Sequence, residues 1–258
     1  MCWEKQMKKR KILPLEPIVQ PQLPILDTSP IIPQRNKIKN LLNIYQRPDF
    51  TEKQKEFIEL ALNKDTKLMF VEGPAGSSKT FMAVYVSLLL MNQRKISDIV
   101  FVRSAVESSE KSIGYLPGLI SEKLSPYIQP LMDKLEEFLS KKEIELLQKE
   151  ERISGTTIGF LRGLSFNAKS LILDEAQNTT AKEIITFITR VGMFSKSFVV
   201  GDKLQSDINC KSGFIKILNC FDDEESRQNG ICVFRFTEED IVRSPLTRFI
   251  VNRLNKVN

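Results

Sequence analysis

Three short polar motifs, each set directly after an apolar run, hold the residue types that phosphate chemistry needs. The first is Gly73-Pro74-Ala75-Gly76-Ser77-Ser78-Lys79-Thr80, which follows the run Leu68-Met69-Phe70-Val71. Glycines let a loop fold so that successive backbone N–H groups point at one anion, and a helix starting at its end adds a positive pole. Lys79 is then placed for β- and γ-phosphates, and the Thr80 hydroxyl for Mg²⁺. One position departs from the usual pattern: Ser78 stands where a glycine normally precedes the lysine. A serine fits there if its backbone angles stay allowed and its side chain points away from the phosphates. The departure bears on how tightly a nucleotide is held more than on whether one is held.

The second motif is Leu171-Ile172-Leu173-Asp174-Glu175-Ala176-Gln177-Asn178. Asp174 suits Mg²⁺ held through water, and Glu175 suits polarising an attacking water. Alone, such a run also reads as a strand followed by a helix start, where acids are favoured by the helix dipole. Its place about 95 residues after the loop ties it to the loop. The third is Val199-Val200-Gly201-Asp202-Lys203-Leu204-Gln205. Gln205 is placed either to contact a γ-phosphate or its attacking water, or merely to follow a Gly-Asp turn.

The elements that must position these motifs alternate along the chain. Apolar runs at 68–71, 99–102, 171–173, 198–200 and 231–236 read as strands, and helices are expected at about 80–92, 180–190 and 213–221. Between them lies a helical insertion of about 117–150, rich in Glu and Lys and expected to be broken by Pro117, Pro126 and Pro130. Short continuous apolar runs between helices indicate a mostly parallel, doubly wound α/β sheet, with any ligand site at the carboxyl ends of the strands. Thr51-Glu52-Lys53-Gln54 reads as a capping box opening a helix ahead of the first strand. Hydrolysis at a γ-phosphate also asks for a positive group in the transition state. Arg103, Arg190 and Arg243 are the candidates, with Arg248 near the last of them. Tyr115 reads either as a packed aromatic or as a base-stacking one.

Composition narrows the chemistry further. The chain has 258 residues, no histidine and a formal charge of +6. Without imidazole there is no Ser-His-Asp or Cys-His triad and no His-dependent zinc site. The four cysteines, Cys2, Cys210, Cys220 and Cys232, form no C-x-x-C pair. The last three sit in apolar stretches and are expected to be small buried hydrophobes in a reducing, cytoplasmic setting. No signal-peptide-like run follows the start, and the longest apolar stretch, 81–91, is too short to span a bilayer. Residues 1–39 carry eight Lys/Arg and three Asp/Glu, so the remainder holds 30 − 29 = +1. Seven of the twelve prolines lie in the first 48 residues. Residues 1–48 therefore read as a basic, proline-rich arm with a short helix, and 49–258 as the main domain. The arm serves either as a solvated tether or as a nucleic-acid contact through Lys8, Lys9, Arg10 and Lys11.

Taken in order, the loop, DEAQ and GDxxQ resemble the first motor domain of superfamily 1 helicases. More closely, the chain resembles the PhoH family of P-loop ATPases, phosphate-starvation-inducible proteins also carried by many phages. FVEGPAGSSKT, FVRSAVESSEKSIGYLPG, GFLRGLSFNAKSLILDEAQNTT, TRVGMFSKSFVVGDKLQSDI and DIVRSPLTRFIV carry the likeness, over about residues 68–252. The resemblance implies a single RecA-like domain and a cytoplasmic location, that of the host if the chain is phage-encoded. It makes Gln54 an adenine reader as well as a cap candidate, and places the 104–111 segment where related motors touch a nucleic-acid strand. Some relatives carry a PIN nuclease domain, which an arm of about 45 residues has no room for.

The reading of function is Mg-ATP hydrolysis. Gly73 to Thr80 bind phosphates, Thr80 and Asp174 hold the metal, and Glu175, Lys79, Gln205 and Arg243 act in catalysis. A lone motor domain must borrow its second wall, which implies a homo-oligomer, ring-like and such as a hexamer, with an arginine supplied in trans. Three classes stay open: an ATPase coupled to RNA or single-stranded DNA, a nucleotide-gated scaffold with little turnover, and a small-molecule kinase. The last is weakest, since a kinase needs an acceptor pocket and lid arginines whereas DEAQ and GDxxQ belong to hydrolysis and motor coupling.

Overall fold

In the computed structural model, residues 41–45, 49–104, 120–241 and 253 are described. Six parallel strands form one sheet: β1 (Leu68–Glu72), β2 (Asp98–Arg103), β3 (Ile153–Thr157), β4 (Lys169–Asp174), β5 (Lys196–Gly201) and β6 (Ile231–Arg235). Their order across the sheet is β3-β2-β4-β5-β1-β6. The register sets Arg103 beside Asp174 and Glu72 beside Gly201, so the motif-bearing strand ends lie level. The arrangement is an α/β, RecA-like domain, parallel at every described strand pair.

Side chains alternate across a strand, and this alternation builds two cores. Met69, Val71, Ile99, Phe101, Ile172, Phe198 and Val200 face α1 (Glu52–Leu62), α2 (Lys79–Asn92), α3 (Ile120–Glu136) and α4 (Lys141–Lys149). Leu68, Phe70, Val100, Val102, Leu171, Leu173 and Val199 face α5 (Ala181–Ile188) and α6 (Phe214–Cys220). A short α7 (Glu224–Gln228) precedes β6. Helix α2 is apolar nearly all round, as suits a helix covered by the sheet and by other helices. The Ser87 hydroxyl buried on it is satisfied by the Ala83 carbonyl at 2.6 Å and by Ser170 at 2.7 Å.

Three expectations change. The sheet has an edge strand, β3, that Ile153-Ser154-Gly155-Thr156-Thr157 did not announce. Its Gly155 lies so close to α3 that a Cβ there would sit 2.7 Å from Ile128 Cβ, so this strand trades an apolar side chain for helix contact. The insertion is not broken at Pro126 or Pro130, since α3 runs continuously through both. Interior prolines cost about 3 kcal/mol each. Burial of Leu131 and Leu135, together with Phe138 just past the helix end, opposes that cost. Cys210 and Cys220 are exposed rather than buried, while Cys232 is half-buried. On α6 it is Ile217 and Leu218 that turn inward, leaving Cys220 on the outer face.

Of the amino-terminal arm, residues 41–45 are described and are irregular. Leu42 is buried, exchanges two hydrogen bonds with the Asn92 amide, and is followed by Tyr45 N–H donating to the Phe138 carbonyl at 2.8 Å. The rest of the arm, Pro117, Tyr115, Arg243 and Arg248 lie outside the described residues. No helix among the described residues is long and apolar enough to cross a membrane.

At the amino end of β5, away from the motifs, Lys196 is buried and donates to the Asn63 and Thr66 carbonyls. Burial, reinforced by the nearby Lys95, pushes its ammonium down from 10.5 to about 8. Between about 8 and 10.5 the unfolded chain then binds the extra proton, so this side chain's contribution to stability rises with pH. Unfolding midpoints of wild type and Lys196→Met across that window should diverge in favour of wild type as pH increases; a constant difference contradicts the assignment.

Candidate functional site

The site is built on four adjacent strand ends. Arg103 closes β2, Asp174 closes β4, Gly201 closes β5, and the glycine-rich loop leaves β1. They surround a cavity of about 450 Å³ whose wall includes Ala75, Gly76, Ser78, Lys79, Thr80, Asp174, Glu175 and Gln205. All three motifs thus converge on one volume, as their spacing requires.

Two residues give the loop its turn into α2. Gly76 has φ +84° and Ser78 has φ +64°, both in the left-handed region. Glycine adopts that region freely, while a side chain there costs about 1–2 kcal/mol. Ser78 therefore meets the backbone demand that glycine usually meets, at a cost, and its hydroxyl makes no capping bond to offset it. Ser78→Gly should raise the thermal midpoint by about 2 °C, in line with about 1 kcal/mol in a domain of this size. An unchanged or lower midpoint contradicts that account. Gly73 is needed for a different reason: a Cβ there would lie 2.7 Å from Phe236 Cβ.

Lys79 Nζ donates to the Gly73 and Pro74 carbonyls at 2.7 and 2.8 Å, which curls the ammonium over the loop. Thr80 donates its hydroxyl to Asp174 Oδ1 at 2.6 Å. Asp174 is buried, and burial followed by the neighbouring Glu175 carboxylate pushes its pKa above the ordinary carboxylate range; the Thr80 bond and Arg103 pull against that shift. Arg103 spans both acids, with Nε 3.3 Å from Asp174 and a terminal nitrogen 3.5 Å from Glu175. Glu175 itself has φ +55°, so the second acid is also held in a costly backbone conformation facing the cavity.

Sequence reasoning passed over one residue of the DEAQ stretch. Gln177 is 2% exposed; its amide nitrogen donates to Glu175 Oε2 at 2.6 Å and its oxygen accepts from Asp202 N–H at 2.9 Å. The same seam continues with Ser206 donating to the Gln177 carbonyl and with a reciprocal pair between Asn178 and Asp207. DEAQN and GDKLQSD are therefore stitched together rather than merely adjacent. Only a partner on another strand reveals this. A second tie, Glu72, pairs with Lys203 and Arg235 at 3.1 Å each and joins the base of the loop to both flanking elements.

The remaining candidates fall into place individually. Asp202 shapes its turn by accepting from Leu204 N–H at 2.9 Å, and Gln205 beyond it is exposed and lines the cavity. The Gly-Asp turn of GDxxQ is present, and it sets the glutamine on the cavity wall. Gln54 completes the capping box with its oxygen, accepting from Thr51 N–H at 3.1 Å, while remaining buried and on the cavity wall. Arg190 bonds the Leu164 carbonyl and the Thr189 hydroxyl and is not part of the cavity wall. The hard oxygen donors of Thr80 and Asp174, paired at the mouth of an anion-binding loop, suit Mg²⁺.

Comparison with known proteins agrees with this geometry. The PhoH-like protein family profile matches residues 48–255. The chain belongs to the PhoH family. The PhoH-like protein of Bacillus subtilis (strain 168) is 35% identical over 210 residues, which cover 80% of this chain and 63% of that protein. Protein PhoH of Escherichia coli (strain K12) is 32% identical over 184 residues, covering 70% of this chain and 51% of its own length. Protein PhoH2 of Bacillus subtilis shares 39% identity over 154 residues, or 58% of this chain and 35% of that one. The chain thus spans about half to two thirds of the PhoH-like and PhoH relatives. As a PhoH family member with this loop, it is a P-loop nucleotide-binding protein.

Proposed function

We propose that this PhoH family chain binds Mg-ATP and hydrolyses it by attack of water on the γ-phosphate. The observation that supports the reading best is the convergence of Thr80, Asp174, Glu175 and Gln205 around one cavity beside the loop. Loop amides from Gly73 to Thr80 and the Lys79 ammonium would hold the phosphates. Thr80 and Asp174 would hold Mg²⁺, which when bound offsets charge on the β- and γ-phosphate oxygens. Glu175 takes the proton of the attacking water as its oxygen bonds to phosphorus and the bond to the β–γ bridging oxygen breaks, leaving ADP and phosphate. Gln205 senses the γ-phosphate, and Gln54 contacts the adenine ring.

Hydrolysis is coupled, in this reading, to RNA or single-stranded DNA within a ring-like homo-oligomer such as a hexamer. A neighbouring subunit's Arg243 completes the site, and the basic arm of residues 1–48 adds phosphate contacts. A second reading, a nucleotide-gated scaffold with little turnover, draws support from the left-handed Ser78 in the loop. Phosphate release measured without nucleic acid, with RNA and with single-stranded DNA separates the two. Stimulated turnover that Glu175→Gln abolishes supports the first. Tight ATP binding with no turnover under all three conditions sinks the first and leaves the second.

A further inference from the structure

The cavity has two ends of different chemistry. Asp174, Glu175 and Gln205, on the β4 and β5 side, mark where a γ-phosphate would lie. The rest of the wall includes Asp49, Phe50 and Gln54, Phe81, and Pro130, Lys134 and Glu137 of α3 and its closing turn. The triphosphate reading gives those three α3 positions no task, yet their spacing is deliberate. Residues four and then three apart share one helix face. Leu131, Leu135 and Phe138 form such a stripe and are buried in the core; Pro130, Lys134 and Glu137 form the neighbouring stripe, one residue out of step, and line the cavity.

Aromatic contacts fix this wall against the start of α2. The Phe138 ring lies 4.3 Å from Phe81 and 5.2 Å from Tyr85, and Phe50 lies 5.0 Å from Tyr85. Phe81 directly follows Thr80, so α3 ends beside the first turn of α2. With the adenine at Gln54, as proposed above, a nucleotide whose γ-phosphate meets Glu175 and Gln205 runs its ribose past this wall. A lone carboxylate there would repel the phosphates. Glu137 is not alone, since Lys134 Nζ lies 2.9 Å from its Oε1 and offsets the charge. An ionised carboxylate accepts hydrogen bonds and donates none, which matches the two donors of a vicinal diol.

We propose that Glu137, held in place by Lys134, accepts hydrogen bonds from the ribose hydroxyls, making α3 the element that selects ribonucleotides over deoxyribonucleotides. The inference rests on the nucleotide reading above and extends it to the sugar. Asp49, the other carboxylate of this wall, is exposed and makes a weaker clamp.

The test is equilibrium binding of Mg-ATP and Mg-2′-deoxy-ATP to the full chain and its variants. Wild type should prefer ATP by about tenfold or more, the scale for a site that loses a hydrogen bond to a charged group. Glu137→Ala should bring the ratio near unity by weakening ATP more than 2′-deoxy-ATP, which loses only the bond from its 3′-hydroxyl, and an unchanged thermal midpoint reports that the variant is folded. Glu137→Gln, which keeps one acceptor, should fall between. Glu136→Gln, on the exposed face of the same helix, should leave the ratio unchanged, and Lys79→Ala should weaken both nucleotides equally. Equal wild-type affinities overturn the inference alone, as does a preference that survives Glu137→Ala or disappears in Asp49→Asn instead. Failure of wild type to bind either nucleotide overturns the inference together with the nucleotide reading.

Discussion

Glu175→Gln should lower ATP turnover by about 10³-fold while leaving ATP affinity within a few-fold of wild type, the loss expected when a general base is removed from a hydrolytic site. The separation of the two effects follows from where Glu175 sits. The groups proposed to hold the phosphates, the loop amides and Lys79, lie between β1 and α2 and at the start of α2, whereas Glu175 follows the end of β4, half-buried and turned to the cavity by its left-handed backbone. Its carboxylate is engaged on both oxygens, one by Arg103 and the other by Gln177. Glutamine has the right shape but only one acceptor oxygen. It keeps one of those partners and presents an amide nitrogen to the other, so the side chain stays near its place without the ability to take a proton. Phosphate release and nucleotide binding measured on the same preparation check this. A variant that binds ATP weakly and turns over at wild-type rate per bound nucleotide would falsify the assignment of Glu175 as base.

The loop and the acid pair were legible because each is a local signal: an apolar run of strand length followed at once by polar residues. That Thr80 and Asp174 meet at 2.6 Å follows from two strand ends lying level in a parallel sheet, which the doubly wound pattern implies. Other features depend on what packs against them. Ser154, Gly155 and Thr156 carry no apolar run, and become a strand only because β2 offers an edge and α3 needs room above Gly155. Pro126 and Pro130 read as breakers, but breaking α3 would expose Leu131 and Leu135. Whether Lys134 faces water or a cavity depends on which helix stripe meets the core, a tertiary fact. The cysteines erred in the other direction: an apolar neighbourhood in sequence does not fix which side of α6 a residue occupies.

Gln177 shows the same dependence on neighbours, and its removal should have the next largest effect. Its buried amide links the acid that follows β4 to the backbone that follows β5. Gln177→Ala leaves the buried Asp202 N–H without its acceptor, a loss of about 1–3 kcal/mol in stability. It also frees one oxygen of Glu175, and a displacement of a catalytic group by about 1 Å costs on the order of 10²-fold in rate. Turnover should therefore fall about 10- to 100-fold, by less than in Glu175→Gln because the base remains. Gln177→Glu keeps one of the two bonds and breaks the other. Its carboxylate still accepts from Asp202 N–H, which spares that bond, but it meets Glu175 as a like charge at the former 2.6 Å contact and forces the base away. Chemical denaturation should show both variants destabilised, Gln177→Ala through the unpaired N–H and Gln177→Glu through a buried like-charge pair, while steady-state turnover shows both impaired. If Gln177→Ala loses stability yet retains full turnover, the seam between the two motifs is a packing feature and Glu175 is positioned by Arg103 alone.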